Sequence, residues 1–249
     1  MQQCGRIWEV SRLTGDVDFM IHGIFSYELF GHTAWITTSH VCIFIVMLSL
    51  LIFAIVANRS LAHGENVPTG FQNVVELVVE KLDGMVEGTM GKEVGAGFAN
   101  YIGTVFLFVL LSNIAGLFGL RPPTADYGTT LALALITFFL IHITKIKNRS
   151  AGFIWRELCS PLPPWLPLWV PINVISMAAV PISLSLRLFA NVLSGTVMLA
   201  LVYGLLGRLA FIWPAALHIY FDLFSGAIQT YVFCMLTMTY IGQNYEAES

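Results

Sequence analysis

Residues 165–206 read WLPLWVPINVISMAAVPISLSLRLFANVLSGTVMLALVYGLL, a 42-residue apolar run interrupted by one charge, Arg187. As a single helix rising 1.5 Å per residue, such a run is about 60 Å long, twice the roughly 30 Å hydrocarbon core of a bilayer. It therefore either breaks into two spans or lies steeply tilted. Working outward, residues 209–242 form a second long apolar run. Across residues 158–245 the only charged side chains are Arg187, Arg208 and Asp222. Nearer the N-terminus, residues 29–58, 94–120 and 127–144 are uncharged. Each reaches the ~18 residues at which a spanning helix becomes plausible. Long continuous runs exclude a β-barrel, whose strands alternate over about ten residues.

Composition agrees. Of 249 residues, 57% are hydrophobic and 11% charged, where soluble domains carry about 25% charged residues. Twelve basic and fifteen acidic side chains are too few to cover a water-facing surface, so the apolar excess faces lipid. The expected fold is all-α, a polytopic membrane helical bundle of about five spanning helices. The net charge of −3 and the lack of a long Lys/Arg cluster exclude a nucleic-acid partner. Cys4, Cys42, Cys159 and Cys234 are scattered without ligand spacing, so neither a metal site, a cofactor nor a disulfide frame is expected. Residues 1–30 mix Arg6, Glu9, Arg12, Asp16, Asp18 and Glu28 without a compact apolar core, so no cleavable signal is expected.

The chain divides as one membrane domain, 1–249. Residues 1–33 form an outer N-terminal segment, and 34–57 the first span, closed by Asn58-Arg59 with Gly64 and Pro68 beyond. In 68–92, Phe71, Val74, Val75, Val78, Val79, Leu82 and Val86 recur at helical spacing opposite Glu76, Glu80, Lys81, Asp83 and Glu87. This helix is placed on the membrane surface. Residues 100–147 read as a helical hairpin, and 165–242 as the long final pair. With five spans and the N-terminus outside, seven basic residues fall inside (Arg59, Lys81, Lys92, Lys145, Lys147, Arg149, Arg156) and four outside (Arg6, Arg12, Arg121, Arg208). The excess favours this orientation, with the C-terminus in the cytoplasm.

A charge at mid-bilayer costs about 2.5–3.5 kcal/mol or more, so it faces protein or a watery cavity and marks an ion path. Arg187 and Asp222 are such residues; an Arg187/Asp222 ion pair gluing two helices is the bland alternative. Ser183, Arg187, Asn191 and Ser194 follow at intervals of four, four and three, one stripe on one helical face. His218, Asp222, Ser225 and Gln229 make a second stripe on the next helix. Two such stripes can face each other or a shared cavity, a route for water or ions. His218 and His142, taken singly, fit a satisfied buried imidazole as well as a relay.

The stretch SLSLRLFAN at 183–191, followed by Ser194-Gly195, resembles the signature of subunit a of F-type ATP synthases. Pro171-Ile172-Asn173, Gln229 with the apolar-aromatic segment to Tyr240, and Arg121-Pro122 through Ala125-Asp126 leading to Lys145-Ile146-Lys147 fit as well. The resemblance covers roughly residues 30–245. It implies a stator subunit against which a ring of c subunits turns, with the last two helices long and strongly tilted along 165–242. It implies as partners the c ring, the b subunits of the peripheral stalk, the rest of the ATP synthase and the lipid bilayer, in an energy-transducing membrane such as the bacterial plasma membrane. Arg187 matches the family's essential arginine, Asn191 the asparagine one turn later, and Gln229 the glutamine near the arginine.

One departure stands out. Family members often carry Glu where this chain has Thr196, and His where it has Asp222, so the carboxylate has moved to the facing helix. The expected function is ion translocation through two offset half-channels separated by Arg187. Asn191, Ser194, His218, Asp222 and Ser225 would line the outer one, Asn173 and Ser176 the inner. By resemblance the ring carboxylate sets the choice between H⁺ and Na⁺. Two other classes compete: a self-sufficient secondary transporter binding at Arg187 and Asp222, which lacks the repeats such proteins show, and a purely structural membrane subunit. Neither G-x-S-x-G nor H-E-x-x-H occurs, which argues against an intramembrane hydrolase.

Overall fold

A buried apolar core joins five helices, and its composition follows from which faces lack charge. The computed structural model describes residues 23–29, 32–62, 70–118, 120–149, 151–159, 170–206, 213–243 and 245. Most of 1–33, the breakers Gly64 and Pro68, and the Arg208 turn lie outside them. The helices are α1 (Thr38–Ala62), α2 (Phe71–Met90), α3 (Lys92–Ile114), α4 (Tyr127–Asn148), α5 (Ala151–Cys159), α6 (Val170–Leu206), α7 (Trp213–His218) and α8 (Gly226–Gly242). A π-helical segment, Ile219–Ser225, runs α7 into α8 without a break. Five stretches are long and apolar enough to cross a membrane: Thr38–Arg59, Lys92–Phe118, Tyr127–Asn148, Val170–Val202 and Ala216–Gly242. The all-α polytopic bundle expected from the sequence is the architecture found.

Two strands precede it. β1 (Gly23–Leu29) pairs antiparallel with β2 (His32–Thr37), where β-branched and aromatic residues favour extended backbone. The first spanning helix therefore starts at Thr38, where 34 was expected. Thr37 Oγ1 lies 2.7 Å from His40 Nδ1 at the changeover. The helix also continues past Arg59 to Ala62.

The core is built from Val86 and Met90 of α2, Ile102, Val105 and Val109 of α3, Ala134 and Ile141 of α4, Leu184 and Leu188 of α6, and Phe233, Cys234, Met238 and Ile241 of α8. Helix α8 packs against α2, α3, α4 and α6 and is the axis of the bundle. Helix α1 is peripheral: Cys42 and Val46 meet Ala115, while Phe44 is 68% exposed on a face suited to lipid. Helix α2 is amphipathic as expected and is not among the spanning stretches. It turns back into α3 at Gly91, whose φ of 78° favours glycine. The two helices then close on each other, with Gly95 so near that a Cβ would sit 3.2 Å from Val86 Cγ1.

The described part of this run, residues 170–206, does not break. It forms α6, 37 residues long, despite the internal Pro181, which membrane helices tolerate where neighbours satisfy the freed groups. At 1.5 Å per residue α6 is about 55 Å long, so it runs obliquely or projects beyond the hydrocarbon.

Helix α3 is pinned to α8 by a buried amide. Asn113 Nδ2 donates to the Gly226 carbonyl at 3.1 Å and to Thr230 Oγ1 at 3.4 Å. Its Oδ1 accepts from Thr124 Oγ1 at 2.8 Å, which ties in the 3₁₀ turn Pro123–Ala125. Asp126 then caps α4, its Oδ1 accepting from Gly128 N at 3.1 Å.

A Cβ at Gly226 would lie 2.8 Å from Asn113 Cβ, so Gly226→Ala forces the helices apart. The expected loss is about 1–3 kcal/mol, read as a lowered thermal midpoint of the purified complex in detergent. Gly84→Ala is the control: nothing lies within 4 Å of its Cβ position, and alanine favours helix by about 1 kcal/mol.

Candidate functional site

Along α6 the inward face is apolar and the polar stripe looks out. Leu184 and Leu188 are buried, as is Ser185, whereas Ser183, Arg187 and Ser194 are exposed and Asn191 lies at the boundary. Successive helical residues point about 100° apart, so a face centred on Leu184, Ser185 and Leu188 turns Ser183 and Arg187 away from its centre. Arg187 sits near the midpoint of α6, within the apolar span Val170–Val202. Among the described residues it forms no ion pair and no hydrogen bond.

The alternative of an Arg187/Asp222 clasp is therefore not the arrangement found. Asp222 Oδ2 accepts from His218 Nδ1 at 2.8 Å, one turn back on the same helix. Its carboxyl abuts the end of α3, where a Cβ on Gly116 would stand 3.3 Å from Asp222 Cγ. Both residues lie at or in the π segment, a distortion frequent at functional sites.

The two stripes do meet, at one point. Ser225 Oγ donates to Asn191 Oδ1 at 2.9 Å, and one turn further on Gly195 lets Phe221 approach, so that a Cβ there would be 3.3 Å from Phe221 Cβ. A small residue at a helix crossing allows such close contact in lipid. Ser194 Oγ donates to the Asn191 carbonyl at 2.9 Å. Gln229, on the same helix as Ser225, is 8% exposed, and its Nε2 is buried without a partner. A buried donor left unbonded is uncommon.

Asn173 and Ser176 lie at the other end of α6. With Met177 and Val180 they line a cavity of about 440 Å³ whose other walls include Phe138, His142 and Lys145 of α4, Ile154 of α5, Tyr240 of α8, and Gln243. Pro181 has no N–H to offer the carbonyl four residues earlier, and that residue is Met177. From Ser176 to Arg187 is about 16 Å along the helix, and from Arg187 to Asn191 about 6 Å. Polar groups thus gather on both sides of Arg187 along α6, with the guanidinium between them.

Sequence reasoning missed Asn113, Thr124 and Thr230, which hold the C-terminal end of α3 and the N-terminal end of α8 in register. The signal was present: Ser112-Asn113 interrupts an otherwise apolar helix, and an amide there needs partners. No cluster of three or more metal-ligating side chains occurs among the described residues.

The family model for the ATP synthase A chain matches residues 40–242. The chain is 38% identical over 203 residues to ATP synthase subunit a 1 of Pelobacter propionicus, covering 81% of this chain and 85% of that one. It is 37% identical over 222 residues to the sodium-ion-specific ATP synthase subunit a of Propionigenium modestum, covering 83% and 73%. With ATP synthase subunit a of Desulforamulus reducens it shares 31% over 239 residues, 92% of this chain and 88% of the relative. The match runs from the first spanning helix to the end of α8 and takes in the helix that carries Arg187, so the chain belongs to the ATP synthase A chain family.

Proposed function

We propose that this chain is the ion-translocating stator subunit of a rotary ATP synthase, with two offset half-channels separated by Arg187. The observation that carries the reading is a guanidinium exposed at the middle of an apolar span with no ion pair among the described residues. Left facing hydrocarbon, such a charge costs several kcal/mol. A carboxylate presented by a neighbouring subunit removes that cost, and a ring of c subunits presents one after another. The peripheral-stalk b subunits hold the chain still against the ring.

Arginine remains protonated at any relevant pH and offers a planar fork of donors. It stabilises each passing carboxylate in its ionised form and gives up no proton itself. An ion-loaded, neutral carboxylate travels through lipid, whereas an ionised one does not. Arg187 therefore prevents short-circuit between the outer polar group (Asn191, Ser194, Ser225, His218, Asp222) and the inner cavity beside Asn173 and Ser176. Ser183, exposed on α6 one turn before Arg187, supplies a polar contact for the passing carboxylate, and Gln229 is a buried polar group of the ion path on the last helix. Each charge crossing 100 mV releases about 2.3 kcal/mol, and the offset of the two paths turns this into rotation in one direction. The chain itself makes and breaks no covalent bond beyond proton exchange.

Asp222, held by His218, takes the role that a glutamate at Thr196 would fill, loading ions from the outer face. With the N-terminus outside, the end of α6 bearing Asn191 faces outward and the Lys145, Lys147 end of α4 faces the cytoplasm.

Replacing Arg187 with Ala or Gln is expected to reduce gradient-driven ATP synthesis by the reconstituted complex to background. Arg187→Lys also fails, since a point charge lacks the fork geometry. Full synthesis by Arg187→Ala excludes the mechanism. Asp222→Asn is expected to slow synthesis about tenfold, equivalent to about 1.4 kcal/mol in the limiting barrier, with subunit stoichiometry unchanged on native gels. Unaltered coupling in that variant removes Asp222 from the ion path. A cysteine at position 187 is expected to crosslink to the outer helix of a c subunit.

A further inference from the structure

Two glycines make room for consecutive residues of the π segment. Gly195 of α6 admits Phe221, and Gly116, in the 3₁₀ turn Ala115–Phe118 that ends α3, admits Asp222. A Cβ built on Gly116 would stand 3.3 Å from Asp222 Cγ and 3.4 Å from Oδ1. It would also stand 3.3 Å from Pro122 Cγ, so the missing side chain leaves a notch between a carboxyl group and a proline ring. Oδ2 accepts from His218 Nδ1 at 2.8 Å. Oδ1, which faces the notch, accepts no hydrogen bond among the described residues. With 18% of the Asp222 side chain exposed, the group is largely enclosed and still within reach of water.

A methyl group placed in the notch has to displace one of its two walls. Pro122 is the stiffer wall. Its ring fixes its own backbone torsion, and its carbonyl accepts from Ala125 N at 2.9 Å. The turn that follows is tied to Asn113 through Thr124 Oγ1 at 2.8 Å. The carboxyl group, by contrast, ends a side chain that turns about two torsions. Asp222 is therefore the wall that yields, and in turning away it gives up its bond to His218. Its level on α6 is marked by Gly195, eight residues beyond Arg187, or about 12 Å along the helix. The notch thus holds the carboxylate about two turns from the guanidinium.

We propose that Gly116 is a positioning residue for ion entry: the notch left by its missing side chain seats the Asp222 carboxyl group and keeps Oδ1 presented to arriving ions. The inference rests on the role proposed above for Asp222. In that orientation the end of α3 lies on the outer side, so an ion entering from outside meets this seat before it reaches the level of Arg187. Oδ1 takes up the ion while Oδ2 stays with His218. It then passes the ion on toward Ser225 and Asn191, which are bonded to each other at 2.9 Å. Each release restores the ionised carboxylate. Gly116 itself touches no ion and acts through the place it leaves for Asp222.

The test uses the complete ATP synthase in proteoliposomes and reads gradient-driven synthesis, normalised to ATP hydrolysis uncoupled by detergent. Gly116→Ala, Asp222→Asn and the two together are compared with the parent. Asparagine has the outline of aspartate, so the alanine strains packing equally in both backgrounds, and only an effect carried by the carboxylate differs between them. The expected result is a several-fold loss for Gly116→Ala in the parent and less than about twofold further loss in the Asp222→Asn background, the non-additivity of coupled residues. Separately, Gly116→Cys combined with Asp222→Cys is expected to give a disulfide on mild oxidation, a readout that does not depend on alanine being accommodated. Equal losses in the two backgrounds overturn the proposal, because packing strain alone produces them. Undiminished synthesis by Gly116→Ala, its recovery on adding Pro122→Ala, or failure of the cysteine pair to crosslink overturns it too. Asp222→Asn at the parental rate removes Asp222 from the ion path and the seat with it, whereas a slow Asp222→Asn beside equal losses removes the seat alone.

Discussion

A positive charge that cannot be discharged, fixed halfway along an apolar helix, is the constraint on which the rest of the structure depends. Arginine does not lose its proton to escape the membrane as a lysine or histidine can. The chain does not neutralise it either, since the one carboxylate available in the last two helices, Asp222, is engaged by His218. The bundle instead turns its apolar residues inward, through Leu184 and Leu188, and leaves the guanidinium on the outside face. In the function proposed above, a neighbouring subunit supplies the counter-charge to that surface.

Keeping that face open places the burden of holding the helices together elsewhere. Helix α8 takes it, through Phe233, Met238 and Ile241 in the core and through the Asn113 amide at its start. Polar contacts between helices are used sparingly and at junctions: Asn113 where α3 ends, Asn191 with Ser225 where α6 crosses the π segment, Tyr101 with Thr137 between α3 and α4. Each satisfies groups that lipid could not.

Much of this was legible in the sequence because the signals are strong in lipid. Five long apolar runs, three without a charge and two with one each, need no knowledge of packing to interpret, and the stripe at 183–194 follows from helical periodicity alone. What periodicity could not say is which way the stripe looks, because a bundle's inside and outside are both apolar. The stripes were expected to face each other or a shared cavity, and among the described residues they meet at Asn191 and Ser225. Asp222 turns toward Gly116, a contact that depends on the extra residue per turn in the π segment and on a neighbour about a hundred positions earlier in the chain. The strands before Thr38 were likewise invisible to a reading that weighed only apolarity, and Asn113 was passed over because one amide in an apolar run gives no period.

Helix α6 carries a last consequence. A rod of about 55 Å exceeds a hydrocarbon slab of about 30 Å, and packing against its neighbours decides how much of the excess is taken up by inclination and how much projects. Thicker or thinner lipid shifts that balance and, with it, the depth of the guanidinium in the bilayer. Lipid chain length thereby bears on the level of Arg187 as directly as any side chain packed against the helix.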